Sequence, residues 1–162
     1  NENDVKVLQE YGKLLQQTFA LNLAATATLK ISNIRGDNSS LFGTQNLTDE
    51  NPYSYWATDD SVKTASITLE WKKRVQFNLI RLKENIKLGQ RIEKVEVDAM
   101  LNGVWKKIGE ATSIGANRII RIPQNISTTK IRIRILQSPV CIALSDIGVF
   151  YSPEPVTTSI KK

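Results

Sequence analysis

After Asn22, the apolar residues of this 162-residue chain stop following a helical period and begin to alternate with polar residues. This change restricts the fold more than any other feature, because alternation is the pattern of strands with one buried face. Asn102-Gly103 separates two such runs, and this dipeptide favours the positive φ angles of a two-residue hairpin turn. The pattern predicts short strands joined by turns, as in an antiparallel sandwich or barrel.

The alternating runs predict about eight antiparallel strands and almost no helix after residue 22. This combination favours an all-β domain of the jelly-roll β-sandwich type. The expected strands cover residues 27–31, 67–71, 77–83, 95–101, 104–108, 118–122, 130–136 and 140–151.

An amphipathic helix is expected before the strands, from Asp4 to Phe19. Gly12 weakens its middle, so the helix should need a surface to pack against. We therefore divide the chain into a helix at 1–22, a β-sandwich at 23–151 and a flexible tail at 152–162. The apolar positions that share or border one helical face are Val5, Leu8, Tyr11, Leu14, Leu15 and Phe19.

The net charge of +6 raises the question of an anionic partner, but the placement of the basic residues indicates none. Residues 72–74 form the one dense basic run. Arg132 and Arg134 alternate with isoleucines, which is the pattern of a solvated sheet face. The charge is not accompanied by a zinc-knuckle spacing, a stacking motif or a phosphate-binding glycine loop, so we expect no nucleic-acid partner.

The residue inventory also argues against catalysis. The chain has no histidine, which excludes Ser-His and Cys-His nucleophiles and histidine-bearing metal sites. Cys141 is the one cysteine, and its apolar neighbours indicate a buried small side chain. The carboxylate pairs Asp59-Asp60 and Glu93 with Glu96 read as solvated charges rather than a glycosidase pair. We predict that the chain by itself is not an enzyme.

The segment from Leu47 to Thr58 places oxygen-bearing side chains in a short loop before Tyr55-Trp56. Asp49, Asn51 and Ser54 are of the type that binds a hard cation, and calcium suits oxygen-only ligands. The alternative is a turn-rich loop capped by a core tryptophan. Spacing alone leaves both interpretations open.

With these motifs, residues 23–151 resemble the discoidin or coagulation-factor type C domain, a galactose-binding-like β-sandwich. Asp49, Asn51, Ser54 and Trp56 match its loop pattern. In that family a carboxylate near the last strand completes the cation site, and Asp146 stands where glutamate is more common. The resemblance thus implies a structural calcium held by Asp49, Asn51, Ser54 and Asp146.

A closer resemblance, from Arg81 to Pro123, is to the C-terminal sandwich of retaining α-L-fucosidases, and ENIKLGQRI is its most specific segment. The helix at Asp4–Phe19 likewise resembles the connector that leaves the catalytic barrel of those enzymes. The resemblance implies a non-catalytic accessory domain of an exo-acting fucosidase whose barrel carries the nucleophile and the acid/base. It also implies a secreted or periplasmic location.

In that setting, loops at one end of the sandwich are expected to face either a fucosylated or galactosylated glycan or the catalytic barrel, and the sequence leaves both open. Without a histidine, a galactose site of the usual kind is not expected. The alternative class is an independent adhesion domain that binds a membrane or a protein, but Leu41-Phe42 is the single plausible membrane-inserting tip, so a membrane is not expected. The candidate loop residues are Arg35, Asp37, Asn38, Phe42, Gln90, Arg91, Asn117 and Arg118.

Overall fold

A computed structural model describes residues 2–153 of the chain. Helix α1 is followed by a short helix, α2, and seven strands lie within the described range. The bounds are α1 Glu2–Phe19, β1 Thr28–Ile31, α2 Ser39–Phe42, β2 Trp56–Ala57, β3 Ala65–Glu84, β4 Lys94–Leu101, β5 Val104–Ala111, β6 Arg118–Gln137 and β7 Ala143–Phe150.

The strands pair antiparallel throughout, in the order β2-β7-β3-β6-β4-β5, with β1 also on β3. The first half of β3 pairs with β1 and with the second half of β6, which continues to β4 and β5. The second half of β3 pairs with β7 and with the first half of β6. Two layers result, and they confirm the predicted all-β sandwich.

The strand count differs from the predicted eight because β3 and β6 are each continuous for 20 residues. The runs at 67–71 and 77–83 belong to one strand, as do those at 118–122 and 130–136. The β3–β6 register shifts between Glu70 and Val75 and again between Phe77 and Leu79. Such bulges bend a strand without ending it, so one strand enters both layers. The short strand β2 was not predicted.

The hairpin between β4 and β5 forms at the predicted dipeptide. Asn102 and Gly103 have φ angles of 52° and 79°, as a turn with positive φ at both central residues requires. Leu101 pairs with Val104 directly beside the turn. The turn therefore fixes the β4–β5 register in the residues next to it.

The core lies between the two layers, where the alternating apolar residues of β3, β4 and β6 meet β7. Trp56 and Trp71 are buried, and their indole N–H groups donate to the carbonyls of Asn33 and Leu23 at 2.9 and 2.8 Å. Trp105 is half-buried, and the guanidinium of Arg132 lies 4.6 Å from its ring centroid. That cation covers one face of this half-buried ring.

Strand β7 is buried along its whole length because other segments cover its outer face and free edge. The side chain of Asn22 donates to the carbonyl of Ile147 at 3.1 Å and accepts from the N–H of Val149 at 3.0 Å. These bonds satisfy backbone groups beyond the short pairing with β2. Phe19 packs edge-on against Phe150, with ring centroids 4.9 Å apart. The end of α1 is thereby joined to the last strand.

Most of α1 extends away from the sandwich, and its apolar face has no cover within residues 2–153. Val5, Leu8 and Tyr11 are each more than half exposed, whereas Thr18 near the helix end is buried. The helix and its amphipathic pattern are confirmed. No helix in the described range is long and apolar enough to cross a membrane.

The outer face of β4 and β6 carries a network of charged side chains centred on Asp98, which is 3% exposed. Arg134 donates to Asp98 from Nε and Nη2 at 2.6 and 3.0 Å, and Arg132 donates from Nη2 at 2.8 Å. Arg134 also bonds Glu96 at 2.6 Å. Burial opposes the charge on Asp98, but the two guanidinium groups outweigh it and lower the pKa of this carboxyl below its ordinary value.

The predicted tail begins at Ser152, yet Ser152 itself is buried. Its N–H donates to Asn78 Oδ1 at 2.8 Å, and its carbonyl accepts from Asn78 Nδ2 at 2.9 Å. A polar side chain on β3 thus holds the backbone at Ser152, and the flexibility of the tail stays a prediction. Residues 154–162 of the predicted tail lie outside the described residues.

Candidate functional site

The segments that connect the strands gather at one end of the sandwich, which we call the loop end. The pairings of Ile31 with Ile67, of Lys94 with Gln137 and of Glu84 with Leu144 put these strand ends side by side. The loop end comprises residues 32–55, 58–64, 85–93, 112–117 and 138–142. The predicted loop residues from Arg35 to Asn117 lie there, Arg118 begins β6 beside it, and α1 contacts the end of β7 through Phe19.

A cavity of about 520 Å³ opens at the loop end, and we call it the Tyr53 pocket. Its floor is formed where the end of β3 lies beside the start of β7, and its walls are the 50–53 and 85–87 segments. The volume is within the range of small-molecule sites. The lining residues are Glu50, Asn51, Pro52, Tyr53, Arg81, Lys83, Glu84, Asn85, Ile86, Lys87, Ala116, Ser145 and Asp146.

An ion pair between Arg81 and Asp146 forms the floor of the pocket. Arg81 donates from Nε to Oδ2 at 2.8 Å and from Nη2 to Oδ1 at 3.2 Å, so the pair is bidentate. The guanidinium also lies 4.9 Å from the ring centroid of Phe150. Gly148 permits this packing, because a Cβ at that position would collide with the Phe150 ring. The pair is thus held from two sides in a single geometry.

Tyr53 and Lys87 form one wall of the pocket. The ring of Tyr53 is 67% exposed, and the ammonium group of Lys87 lies 4.0 Å from its centroid. The N–H of Tyr53 donates to Asn51 Oδ1, and the N–H of Lys87 donates to Asn85 Oδ1, so side-chain turns shape both segments. An exposed aromatic ring beside a cation can contact both the apolar face and the polar edge of a ligand.

Glu84 fixes the loops around the pocket from within. Its side chain is buried, with Oε1 accepting from the N–H groups of Arg91 and Ile92 at 2.7 and 2.8 Å and Oε2 accepting from Gly115 at 2.7 Å. One carboxylate therefore joins the segment after β3 to the segment after β5. Its hydrogen-bonding capacity is used by backbone and is largely unavailable to a ligand.

The four residues of the predicted calcium site lie on two segments, with Asp49, Asn51 and Ser54 in one loop and Asp146 on β7. Ser54 Oγ donates to Asp49 Oδ2 at 2.6 Å, and the N–H of Asn51 donates to Asp49 Oδ1 at 3.0 Å. Asp146, in contrast, is paired with Arg81. Across residues 2–153, no group of three or more acidic, cysteine or histidine side chains is arranged to hold a metal ion.

The guanidinium of Arg81 thus supplies positive charge where the resemblance implies an ion, and Asp146 in this pairing does not fit a calcium ligand. Asp49, Asn51 and Ser54 do share one loop. Calcium binding by that loop stays a prediction.

Two of the predicted loop residues, Arg35 and Arg91, converge on Cys141. Arg91 Nη1 lies 2.9 Å from the sulfur and 3.1 Å from the carbonyl oxygen, and Arg35 Nη1 lies 3.7 Å from the sulfur. Arg35 also pairs with Asp60 at 2.7 Å. The backbone of Gly36 donates to Asp59, and this bond, followed by one from Asn33, lowers the pKa of that carboxyl. Asp59 and Asp60 therefore organise the loop.

The remaining predicted residues lie at the loop end but outside the Tyr53 pocket. Asn38 accepts from the N–H of Leu41 and begins α2, and Phe42 packs on Tyr55 with ring centroids 5.5 Å apart. Arg118 lines a separate depression with Glu110 and Gln137. Asp37, Gln90 and Asn117 are exposed.

Sequence reasoning missed most of the groups that line the Tyr53 pocket. Arg81 and Lys83 flank the buried Leu82, so alternation indicates that both point outward. Nothing in the sequence shows that Asp146 lies beside them, because 65 residues separate it from Arg81. The composition of the loop around Tyr53 indicates oxygen ligands, and nothing in its sequence indicates that the tyrosine ring is exposed.

The two-layer sandwich and its loop end define a discoidin-like β-sandwich domain. The family model of the F5/8 type C domain matches residues 26–146, and the chain belongs to this family.

Among the proteins similar to this chain are α-L-fucosidases, which are longer than the chain. The chain is 30% identical over 152 residues to alpha-L-fucosidase 1 of Arabidopsis thaliana, covering 93% of this chain and 30% of that protein. A Ruminococcus gnavus GH29 fucosidase solved with fucose has a TM-score of 0.83 at 30% identity, over 92% of this chain and 30% of that one. The chain thus spans about a third of the length of these relatives.

The fold is shared with free-standing modules. The family 32 CBM of C. perfringens NanJ, solved with galactose, has a TM-score of 0.66 at 18% identity. It covers 78% of this chain and 95% of that module. At this identity the likeness shows the fold alone.

Proposed function

We propose that this chain is a non-catalytic, carbohydrate-binding accessory domain of an α-L-fucosidase and that the Tyr53 pocket contacts the glycan. The coverage of the fucosidase relatives supports the accessory role, because the aligned part is about 30% of each enzyme and lies in a sandwich fold. Carbohydrate-binding modules among the structural neighbours support the glycan role. In this proposal the rest of the enzyme supplies the catalytic groups.

The pocket has the chemistry of a shallow sugar site. A sugar presents an apolar ring face and a rim of hydroxyl groups, and the exposed ring of Tyr53 suits the first. For the rim of hydroxyl groups, Arg81 retains Nη1 as a donor without a partner within residues 2–153. Because Phe150 holds Arg81, this donor is pre-organised and loses little freedom on binding.

One observation carries the proposal: an exposed aromatic ring and a rigid bidentate ion pair line the same 520 Å³ cavity. A core-forming tyrosine would be buried, yet Tyr53 is 67% exposed and packs only with the Lys87 ammonium group among the ring contacts of the described residues.

The test is calorimetric titration of the chain with fucose, galactose and a set of fucosylated and galactosylated oligosaccharides. We expect saturable binding by at least one of them. Tyr53→Ala should weaken it by about tenfold or more, because loss of the stacked ring removes roughly 1.4 kcal/mol. Tyr11→Ala is the matched control, since Tyr11 is also exposed but lies on α1 and does not line the pocket. Silence with every glycan, or equal loss in both variants, would contradict the proposal.

A second candidate role is docking onto the catalytic domain, and the bare apolar face of α1 favours it. Val5, Leu8 and Tyr11 present a contiguous apolar surface that a domain interface could cover. This role is compatible with glycan binding, because Val5, Leu8 and Tyr11 are not among the residues that line the Tyr53 pocket. The secreted or periplasmic location stays a prediction.

A further inference from the structure

We infer that the Tyr53 pocket takes an acidic sugar residue, one that carries a carboxylate or a sulfate. This inference rests on the proposed glycan-binding function and narrows its ligand class. It differs from the neutral fucosylated or galactosylated glycans expected from the sequence. It rests on which charged groups around the cavity have an oppositely charged or hydrogen-bonding partner and which do not.

Two ammonium groups in the lining have no anionic partner. Lys83 and Lys87 form no ion pair or hydrogen bond through Nζ within residues 2–153, whereas several exposed lysines on the outer faces, such as Lys30 and Lys107, pair with glutamates. Lys83 is also half-buried. A partly desolvated ammonium group without a counter-charge is unfavourable, and an anionic ligand group relieves this.

The acidic groups of the lining are, by contrast, mostly occupied. Glu84 is 3% exposed and accepts three backbone N–H groups. Asp146 is 7% exposed and is bound in bidentate fashion by Arg81. Glu50 is the one remaining carboxylate, and it is exposed, so it can turn into solvent. The groups available to a ligand are therefore predominantly cationic.

The pocket also offers separate contacts to the sugar ring and to the acidic group of such a ligand. Lys87 lies over one face of Tyr53, so a ligand that contacts the edge and the remaining surface of this ring brings its charged substituent close to that ammonium group. Lys83 lies directly across from Asp146 in the β3–β7 register, on the floor of the same cavity. One anionic group can thus be met from the wall and from the floor.

A general attraction of the positively charged chain for acids is the alternative to exclude. Lys72 and Lys73 provide the control, because they belong to the densest basic run, are exposed, and lie at the bend of β3 away from the loop end. A non-specific effect would respond to their removal as much as to changes in the pocket.

The experiment compares matched pairs of probes by calorimetry at low and at physiological salt. The pairs are a trigalacturonide with its methyl ester and a fucose sulfate with fucose. We expect the acidic member of at least one pair to bind about tenfold more tightly and its advantage to fall with added salt. The two pairs distinguish carboxylate from sulfate as the recognised group.

Lys83→Gln/Lys87→Gln should abolish the preference for the acidic member, and Lys72→Gln/Lys73→Gln should leave it unchanged. Equal affinity for both members of each pair would overturn the inference and leave the glycan-binding function standing. Loss of the preference in the Lys72/Lys73 variant would also overturn it. No binding of any probe or of the neutral oligosaccharides would defeat the inference and the proposed function together.

Discussion

Asp98 illustrates how single residues on the outer sheet face acquire a role that their strand pattern does not indicate. Alternation predicts that the side chains of β4 and β6 on this face are solvated. Asp98 is nevertheless almost fully buried, because Arg132 and Arg134 lie across it and shield it from water. Its charge is stabilised by the same side chains that desolvate it.

We expect Asp98→Asn to lower the free energy of unfolding at pH 7 by about 1–3 kcal/mol, because two guanidinium groups lose their shared acceptor. The folded pKa of Asp98 is depressed, so its contribution is present above the unfolded pKa of about 3.9 and is lost as the pH falls through the lower folded value. The difference between wild type and variant should therefore shrink below about pH 4.

Denaturant unfolding of wild type and Asp98→Asn between pH 2 and pH 7 measures this difference in the free energy of unfolding. Glu70→Gln is the control, because the pairs of Glu70 with Lys30 and Lys130 are exposed and should contribute little. Equal stability of wild type and Asp98→Asn at pH 7 would show that the network has no net effect.

At the scale of elements, the loops of the loop end behave as one unit because Glu84 binds two of them. The segment after β3 and the segment after β5 meet through a single carboxylate, with no strand pairing between them. A binding surface built from loops usually loses affinity through loop motion. Here Glu84, the last residue of β3, holds both loops in fixed positions relative to the sheet.

Glu84→Gln should destabilise the chain by about 1–3 kcal/mol, since one side-chain oxygen becomes an N–H₂ group that faces backbone donors. Amide hydrogen exchange is expected to accelerate at Arg91, Ile92 or Gly115 before it changes in the strands. Glu93→Gln is the matched control, because the bond of Glu93 to Gln137 is exposed. Unaltered exchange at all three amides would contradict a clamping role.

Local elements were predictable from the sequence, whereas contacts between distant segments were not. The hairpin at Asn102-Gly103 and helix α1 follow from short-range rules. The continuity of β3 through its bulges does not, since the basic run at 72–74 interrupts the alternation of apolar and polar residues. The pairing of Arg81 with Asp146 depends on the β3–β7 register, which only the tertiary fold determines. The loop end was foreseen, and its pocket was not.

At the scale of the whole molecule, the two candidate interaction surfaces consist of different residues. α1 contacts the sandwich through its last residues, Thr18 and Phe19, next to Ser152 and Phe150. The exposed apolar residues nearer the start of α1, such as Val5, Leu8 and Tyr11, are not among those that line the Tyr53 pocket. Phe150 contacts both Phe19 and Arg81, so the end of α1 lies close to the pocket floor.

Substitutions along α1 should therefore have position-dependent effects in the isolated chain. Leu8→Lys should change the free energy of unfolding by less than about 0.5 kcal/mol, because Leu8 is 68% exposed. Phe19→Ala should cost about 2 kcal/mol, because it removes the ring that packs on Phe150. Thermal melting of both variants measures the contrast. A large loss in Leu8→Lys would indicate that the helix packs on the sandwich in solution.

The sharing of β3 and β6 between both layers has a consequence for how the domain unfolds. In a sandwich made of separate strands, one sheet can open while the other persists. Here each of these strands supplies hydrogen bonds to both sheets, so peeling either layer pulls on the backbone of the other. The domain should lose its structure in a single cooperative event, and a force applied through α1 reaches both sheets at once through β7 and β3.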